Sequence, residues 1–144
     1  MKKGVDYTGI GVVFACHDGN GKFLFAKRSA NCRDGQGTWE IPAGGVEYGE
    51  RIIDALAREL KEELNVVSQK TEFIGYKDVV QKEEDRVLKH WVVLQFLIEV
   101  DPAEVSIGEP DMCDGIEWHV LDNAPEPLHF GVRETIEDII AYKK

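Results

Sequence analysis

Residues 44–66 read GGVEYGERIIDALARELKEELNV. Within them Ile53, Leu56, Ala57, Leu60 and Leu64 recur at spacings of three and four, the period of a helix with one apolar face. The spacing predicts a helix over Glu50–Leu64. Asn65 closes it, because asparagine tolerates the left-handed conformation that commonly ends a helix. Upstream, Gly44, Gly45 and Gly49 predict a loop with tight backbone turns. On a wheel of about 100° per residue with Glu59 at zero, Glu63 falls at about +40° and Glu62 at about −60°. The apolar face is centred near about +110°, on Leu60, Ile53 and Leu56. Three carboxylates therefore gather beside the face that packs. Like charges so close raise one another's pKa unless a cation joins them. A hard divalent ion such as Mg²⁺ is the natural neutraliser, since it takes oxygen ligands and keeps waters and phosphates. Taken alone, the helix reads first as a solvated glutamate face, with Arg58 pairing to Asp54 and Glu62 at four-residue spacing.

Tyr7–Cys16 and Lys22–Lys27 are rich in β-branched and aromatic residues and flank Asp18-Gly19-Asn20-Gly21, which predicts a hairpin. Ser29–Thr38 carries Asn31, Asp34, Gly35 and Gly37 and reads as a loop. Trp39–Pro42 is a short strand ending at the proline. Beyond the helix, strands are predicted near Thr71–Val80 and Leu88–Val100 with Lys82–Arg86 turning between them, and at Ile116–Leu121. Asp101–Asp114 and Asp122–Phe130 contain prolines and read as irregular. Val132–Tyr142 forms a second helix with Val132, Ile136, Ile139 and Ile140 inward. Strands, helix, strands, helix predict an α/β domain, a mixed sheet with helices packed on it.

The 144 residues predict one domain over 1–144. With 43% hydrophobic and 31% charged residues, a disordered or fibrous chain is excluded. A net charge of −10 argues against a nucleic-acid polymer as partner, which needs clustered Lys and Arg. It leaves open a small phosphate compound whose charge is met by metal ions. The apolar runs around Ile10–Cys16 and Trp91–Val100 are strand-sized, so no membrane helix is expected. Met1-Lys2-Lys3-Gly4 is basic, but Asp6 and Tyr7 follow, so no signal-peptide core is expected either. Cys16, Cys32 and Cys113 are odd in number and lack metal-type spacing, which predicts free thiols and a cytoplasmic location. His90, His119 and His129 show no metal spacing.

Gly44, five residues, Glu50, seven residues, then Arg58-Glu59-Leu60-Lys61-Glu62-Glu63-Leu64-Asn65-Val66 resembles the Nudix box. Every fixed position matches except the last glycine, here Asn65, a change that touches helix termination and no metal ligand. Phe25-Ala26-Lys27-Arg28, Gly37-Thr38-Trp39, Pro42-Ala43-Gly44-Gly45 and Glu109-Pro110-Asp111-Met112-Cys113 running into Glu117-Trp118 look like the flanks of MutT-type members. The resemblance implies a Nudix-type α/β/α sandwich with a central mixed β-sheet. It also implies a loop–helix–loop that holds divalent metal, Mg²⁺ or Mn²⁺, against a diphosphate. By the same resemblance Glu62 and Glu63 would be the principal metal ligands and Glu59 a further ligand or general base. The Ala43 carbonyl would be a backbone ligand. Arg58 would orient the glutamates, Glu50 would brace the loop and Gly44 would allow the tight turn.

The implied activity is hydrolysis of a nucleoside diphosphate linked to a group X. The flanks look most like nucleoside triphosphate pyrophosphohydrolases, which release a monophosphate and pyrophosphate. The proline marker of the ADP-ribose group is missing between Pro42 and Pro102, and residues 81–84, Gln-Lys-Glu-Glu, lack the tyrosine of the diadenosine polyphosphate group. Nucleotide sugars or a pteridine triphosphate are the alternative substrates, and a nucleotide-sensing domain without turnover is the non-enzymatic alternative. Arg28 resembles a family phosphate contact. Trp39, Phe130 and Trp118 are candidates to stack a base, and Glu109 is a candidate distal ligand. The expected assembly is a monomer or homodimer.

Overall fold

The computed structural model describes residues 1–144. Its sheet has seven strands: β1 Gly9–His17, β2 Lys22–Arg28, β3 Trp39–Glu40, β4 Ala43–Gly45, β5 Lys70–Glu83, β6 Arg86–Glu99 and β7 Cys113–Val120. The helices are α1, Ile52–Leu64, and α2, Val132–Lys143. The main path is β3-β2-β1-β6-β5, with β4 added to β1 and β7 to β2. β1 and β6 run parallel from Gly9↔Trp91 to His17↔Glu99, and the other pairings are antiparallel. The sheet is thus mixed, as predicted.

β1 shows why helices cover both faces. Successive side chains on a strand point to opposite faces. Val12, Phe14 and Cys16 enter one core with Leu56, Leu60 and Leu64 of α1. Val13 and Ala15 enter the other with Val132, Ile136 and Ile139 of α2. Each buried Val, Leu, Ile or Phe contributes roughly 1.5–3 kcal/mol. The result is the α/β/α sandwich.

The structure departs from the sequence reading at several points. The first two strands form a hairpin, but they share only the His17↔Phe23 pair before separating. β1 then continues against β4 and β6, and β2 against β3 and β7. Ala43–Gly45 is strand β4, where a loop was expected; it pairs with Val13, Val12 and Gly11. Helix α1 begins at Ile52, two residues later than predicted. The second hairpin is longer and turns at Glu84, φ 57°, and Asp85.

The largest correction concerns the orientation of α1. Ile53 is 55% exposed and Ala57 is also exposed, while Ala55 is buried with Leu56, Leu60 and Leu64. On the same wheel these buried positions run from about −40° to about +140°, a span that includes Glu59 and Glu63. Glu59 and Glu63 therefore lie within the packed face of α1, where the sequence placed them beside it.

Candidate active site

Arg58 organises the entrance to this acidic face. Its Nε donates to Glu50 Oε2 at 2.7 Å and its Nη2 to Glu50 Oε1 at 2.9 Å and the Gly45 carbonyl at 3.0 Å. Its Nη1 donates to Glu59 Oε1 at 2.9 Å and Glu62 Oε2 at 3.2 Å. A guanidinium has five N–H donors, and all are used. The bonds from Arg58, then the Glu47 backbone N–H, hold the Glu50 carboxylate down at about 2. Arg58 is raised further above its already high range by the same partners. Glu50 thus braces the Gly45–Glu50 loop through Arg58 and through its bond from the Glu47 N–H at 3.1 Å.

Gly44 has a different role from the predicted one. It sits in β4 with ordinary backbone, and a Cβ there would fall 2.1 Å from Glu59 Cδ. The glycine makes room for a carboxylate under the strand; the left-handed turn of this loop falls at Gly49, φ 84°.

Glu63 lies one turn beyond Glu59. Its Oε2 is buried and has no hydrogen-bond partner. Burial first, then the Glu59 carboxylate, with Glu40 and Glu109 adding, push Glu63 up to about 10. Nearby Cys16 is pushed up to about 12, by burial and then by Glu63. A buried carboxylate oxygen without a partner is costly, and a hard cation would satisfy it. No three carboxylates converge as a ready cage. Glu59 and Glu62 are held by Arg58, and Glu62 is 48% exposed. The donor set nonetheless fits a hard divalent ion: an orphaned oxygen on Glu63, with Glu59 and Glu62 within one helical turn and only oxygen donors among them.

The C-terminal end of α1 is tied to a second loop. Asn65 adopts the left-handed conformation, φ 53°, as expected for the cap. The Ser106 N–H donates to the Leu64 carbonyl at 3.0 Å and the Gly108 N–H to the Glu63 carbonyl at 2.8 Å. Asn65 Nδ2 also donates to Ser106 Oγ at 3.0 Å, a bond that a glycine could not make. These bonds bring Glu109 to a cavity of about 160 Å³ that Glu63 also lines.

A larger cavity, about 310 Å³, opens on the α2 side of the sheet. Arg28, Glu40 and Ala43 line both cavities and form the ridge between them. Arg28 is already engaged: Nε donates to the Asp34 carbonyl at 3.0 Å, Nη2 to Asp34 Oδ1 at 2.9 Å and Nη1 to Glu40 Oε1 at 2.9 Å. Lys89 Nζ donates to Asp34 Oδ2 at 2.8 Å. That bond is the main cause of a lowered Asp34 pKa. Burial raises Glu40 above the ordinary carboxylate range, against the pull of Arg28.

Of the aromatic candidates, Phe130 lines the α2-side cavity, while Trp39 and Trp118 pack beside the two cores and line neither cavity. The cavity wall is Trp91, whose ring rests over Gly4 and Gly9: a Cβ on either would come within 2.6 Å of it. Lys3, from the same N-terminal segment, donates to the Val46 carbonyl at 2.7 Å. His90 and His119 bond to Thr8 and Glu117, and His129 lines the α2-side cavity. Cys16, Cys32 and Cys113 are free thiols.

No motif or spacing pointed to Glu40, Asp34, Lys77, Lys89 or Trp91 as site residues. The first two act through Arg28, and the others meet the site only once β6 pairs with β1 and β5 with β6.

The sequence model of the NUDIX domain family matches residues 8–139. The chain is 28% identical to an RNA pyrophosphohydrolase of Teredinibacter turnerae over 122 residues, covering 76% of this chain and 68% of that protein. It is 30% identical to an ADP-ribose pyrophosphatase of Methanocaldococcus jannaschii over 123 residues, covering 85% and 68%. A MutT NUDIX hydrolase from Burkholderia pseudomallei superposes with a TM-score of 0.80 at 26% identity, covering 93% of this chain and 99% of that one. The chain belongs to the Nudix family and is a Nudix hydrolase of the MutT type. No helix is long and apolar enough to cross a membrane.

Proposed function

We propose that the chain hydrolyses a nucleoside diphosphate linked to X, foremost a ribo- or deoxynucleoside triphosphate, to a nucleoside monophosphate and pyrophosphate. One observation carries this reading: the acidic cavity holding the orphaned Glu63 oxygen and the α2-side cavity share the ridge of Arg28, Glu40 and Ala43. A diphosphate on that ridge has its anhydride beside the glutamates and its organic part over Trp91. The α2-side cavity, about 310 Å³, lies at the lower end of the size range of small-molecule sites.

Glu59, Glu62, Glu63 and the Ala43 carbonyl would hold Mg²⁺ or Mn²⁺. Such an ion neutralises the diphosphate, polarises phosphorus and acidifies water when bound. Arg58 is a positioning residue: it fixes Glu59 and Glu62 against the Gly45 carbonyl and Glu50. A carboxylate of the cluster takes the proton from the attacking water as its oxygen bonds to phosphorus and the anhydride P–O bond breaks. Pyrophosphate leaves with the electron pair of that bond. Of the two sides of the anhydride, the organic side is fixed by the α2-side cavity.

The test is a product-resolved screen with Mg²⁺ over ribo- and deoxynucleoside triphosphates, oxidised guanine triphosphate, nucleotide sugars and dinucleoside polyphosphates, with Glu63→Gln as control. ADP-ribose is included because a 30% identical relative is an ADP-ribose pyrophosphatase. Pyrophosphate plus one monophosphate, absent with Glu63→Gln, is the expected result. Turnover confined to nucleotide sugars or ADP-ribose would overturn the triphosphate assignment and keep the chemistry. Nucleotide binding without any turnover would overturn the enzymatic reading.

A further inference from the structure

The α2-side cavity is lined by three basic side chains, Arg28, Lys77 and Lys89, against two carboxylates, Asp34 and Glu40. Its two carboxylates are occupied: Asp34 by Arg28 and Lys89, Glu40 by Arg28. Lys77, on β5, lines the same cavity. Its Nζ donates to the Gly131 carbonyl at 2.8 Å and to Thr135 Oγ1 at 2.7 Å, at the start of α2. An ammonium has three donors, so one remains. Lys77 belongs to none of the salt bridges; the carboxylates of Asp138 and Glu134 on α2 act on it only at longer range. Thr135 is 4% exposed and Lys77 is half-buried, so water compensates this charge poorly. In a chain of net charge −10, this is a cation left unpaired at a cavity wall.

A lysine that only fastened α2 to the sheet would need the two bonds already made. The third donor and the unmatched charge serve no contact inside the protein. Burial favours the neutral amine and lowers Lys77, and an acceptor oxygen arriving from a ligand would reverse that. Beside Lys77 on the same face of the sheet the wall is apolar and aromatic, formed by its cross-strand partner Val93 with Val79, Trp91 and Val13. A flat or ring-shaped group fits there, with one electron-rich oxygen turned to the lysine.

We propose that Lys77 is a specificity-determining residue that reads an acceptor oxygen on the organic part of the substrate. Such an oxygen is either an exocyclic keto oxygen of the base or a phosphoryl oxygen added to the sugar. The inference rests on the reading that the α2-side cavity seats this part of the substrate.

The experiment compares substrates differing by that one feature: ITP against ATP, UTP against CTP, and ADP-ribose with and without an added ribose phosphate. kcat/KM is measured for the wild type and for Lys77→Met. Binding of IMP, AMP, UMP, CMP and both ADP-ribose forms is measured by calorimetry in metal-free buffer. In at least one pair the wild type should favour the acceptor-bearing member by about tenfold or more, the worth of one charge-assisted hydrogen bond. In Lys77→Met that ratio should fall to within about twofold, mainly through KM. The keto pairs and the phosphate pair tell the two oxygen sources apart.

No preference in any pair, or a preference that survives Lys77→Met, overturns the proposal. A fall in Tm with the ratios unchanged shows a mere fastening role and also overturns it. Should Lys77→Met not fold, Lys77→Gln, which keeps a donor for the Gly131 carbonyl, is read in the same way. Binding preference without turnover retains the inference while sinking the hydrolase reading. Turnover without preference does the reverse, and neither binding nor turnover sinks both.

Discussion

The two sides of the Arg28–Glu40–Ala43 ridge are built on opposite electrostatic plans. On the α1 side, Glu50, Glu59 and Glu62 share one guanidinium, and Glu63, outside that network, keeps an oxygen that nothing answers. On the α2 side, Arg28 and Lys89 are matched by Asp34 and Glu40, and Lys77 is the charge left over. One side lacks a cation and the other lacks an anion or acceptor. Under the proposed function, a complex of metal ions and an oxygen-rich nucleotide would supply both, which is how an acidic protein would hold a polyanion. The matched pairs on the ridge fix geometry, and the unmatched groups are where a ligand acts.

The sharpest break in this comparison removes the unanswered carboxylate. Glu63→Gln should reduce kcat by about 10²–10⁴-fold, the range for losing a catalytic acid–base group. Near neutral pH the same change should move the Tm of the metal-free protein little, because a carboxyl pushed up to about 10 is already uncharged there. Added Mg²⁺ should raise the wild-type Tm by mass action and leave the variant unmoved. A variant that keeps full Mg²⁺-dependent activity would refute the role of Glu63.

Arg58→Lys comes next. A lysine keeps the charge but cannot span Glu50, Glu59, Glu62 and the Gly45 carbonyl together. A fall in activity of about 10–100-fold is expected, as for loss of a group that orients ligands. The Mg²⁺ concentration for half-maximal rate should rise with it. Unchanged metal dependence would show that Arg58 holds only the loop.

The smallest effect is expected on the matched side. Asp34→Asn removes a carboxylate whose pKa is lowered chiefly by the Lys89 bond. A lowered carboxylate stabilises the fold above its unfolded value of 3.8, and that contribution is lost as pH falls through the lower folded value. Urea unfolding near neutral pH should therefore show the variant less stable than the wild type. The gap should close as the pH is taken below 3.8. Because the Asp34 side chain is 44% exposed, the difference should stay under about 1 kcal/mol. A gap that persists at acid pH would assign the effect to packing.

The local elements were legible in the sequence because they are written in neighbouring residues. The period of Leu56, Leu60 and Leu64 identified α1, and the conformational tolerance of Asn65 marked its end. The rotation of α1 was not legible, because Ile53 is apolar yet exposed, and Glu63 carries a carboxyl group yet is packed. Tertiary packing of β4 over Glu59 overrode the pattern there, and Gly44 is the trace it left. The box glutamates were found through spacing along one helix. Lys77 and Lys89 stand on different strands and reach Thr135 and Asp34, 58 and 55 residues away, so no short window contains the cavity they line.

Trp91 gives the molecule an optical reporter. Of three tryptophans, it alone lines the α2-side cavity, while Trp39 and Trp118 lie outside both cavities. Its indole is clamped over Gly4 and Gly9. A base entering beside that clamped ring would quench part of the ultraviolet emission, and the other two indoles would supply a steady background against which occupancy can be read without any added dye.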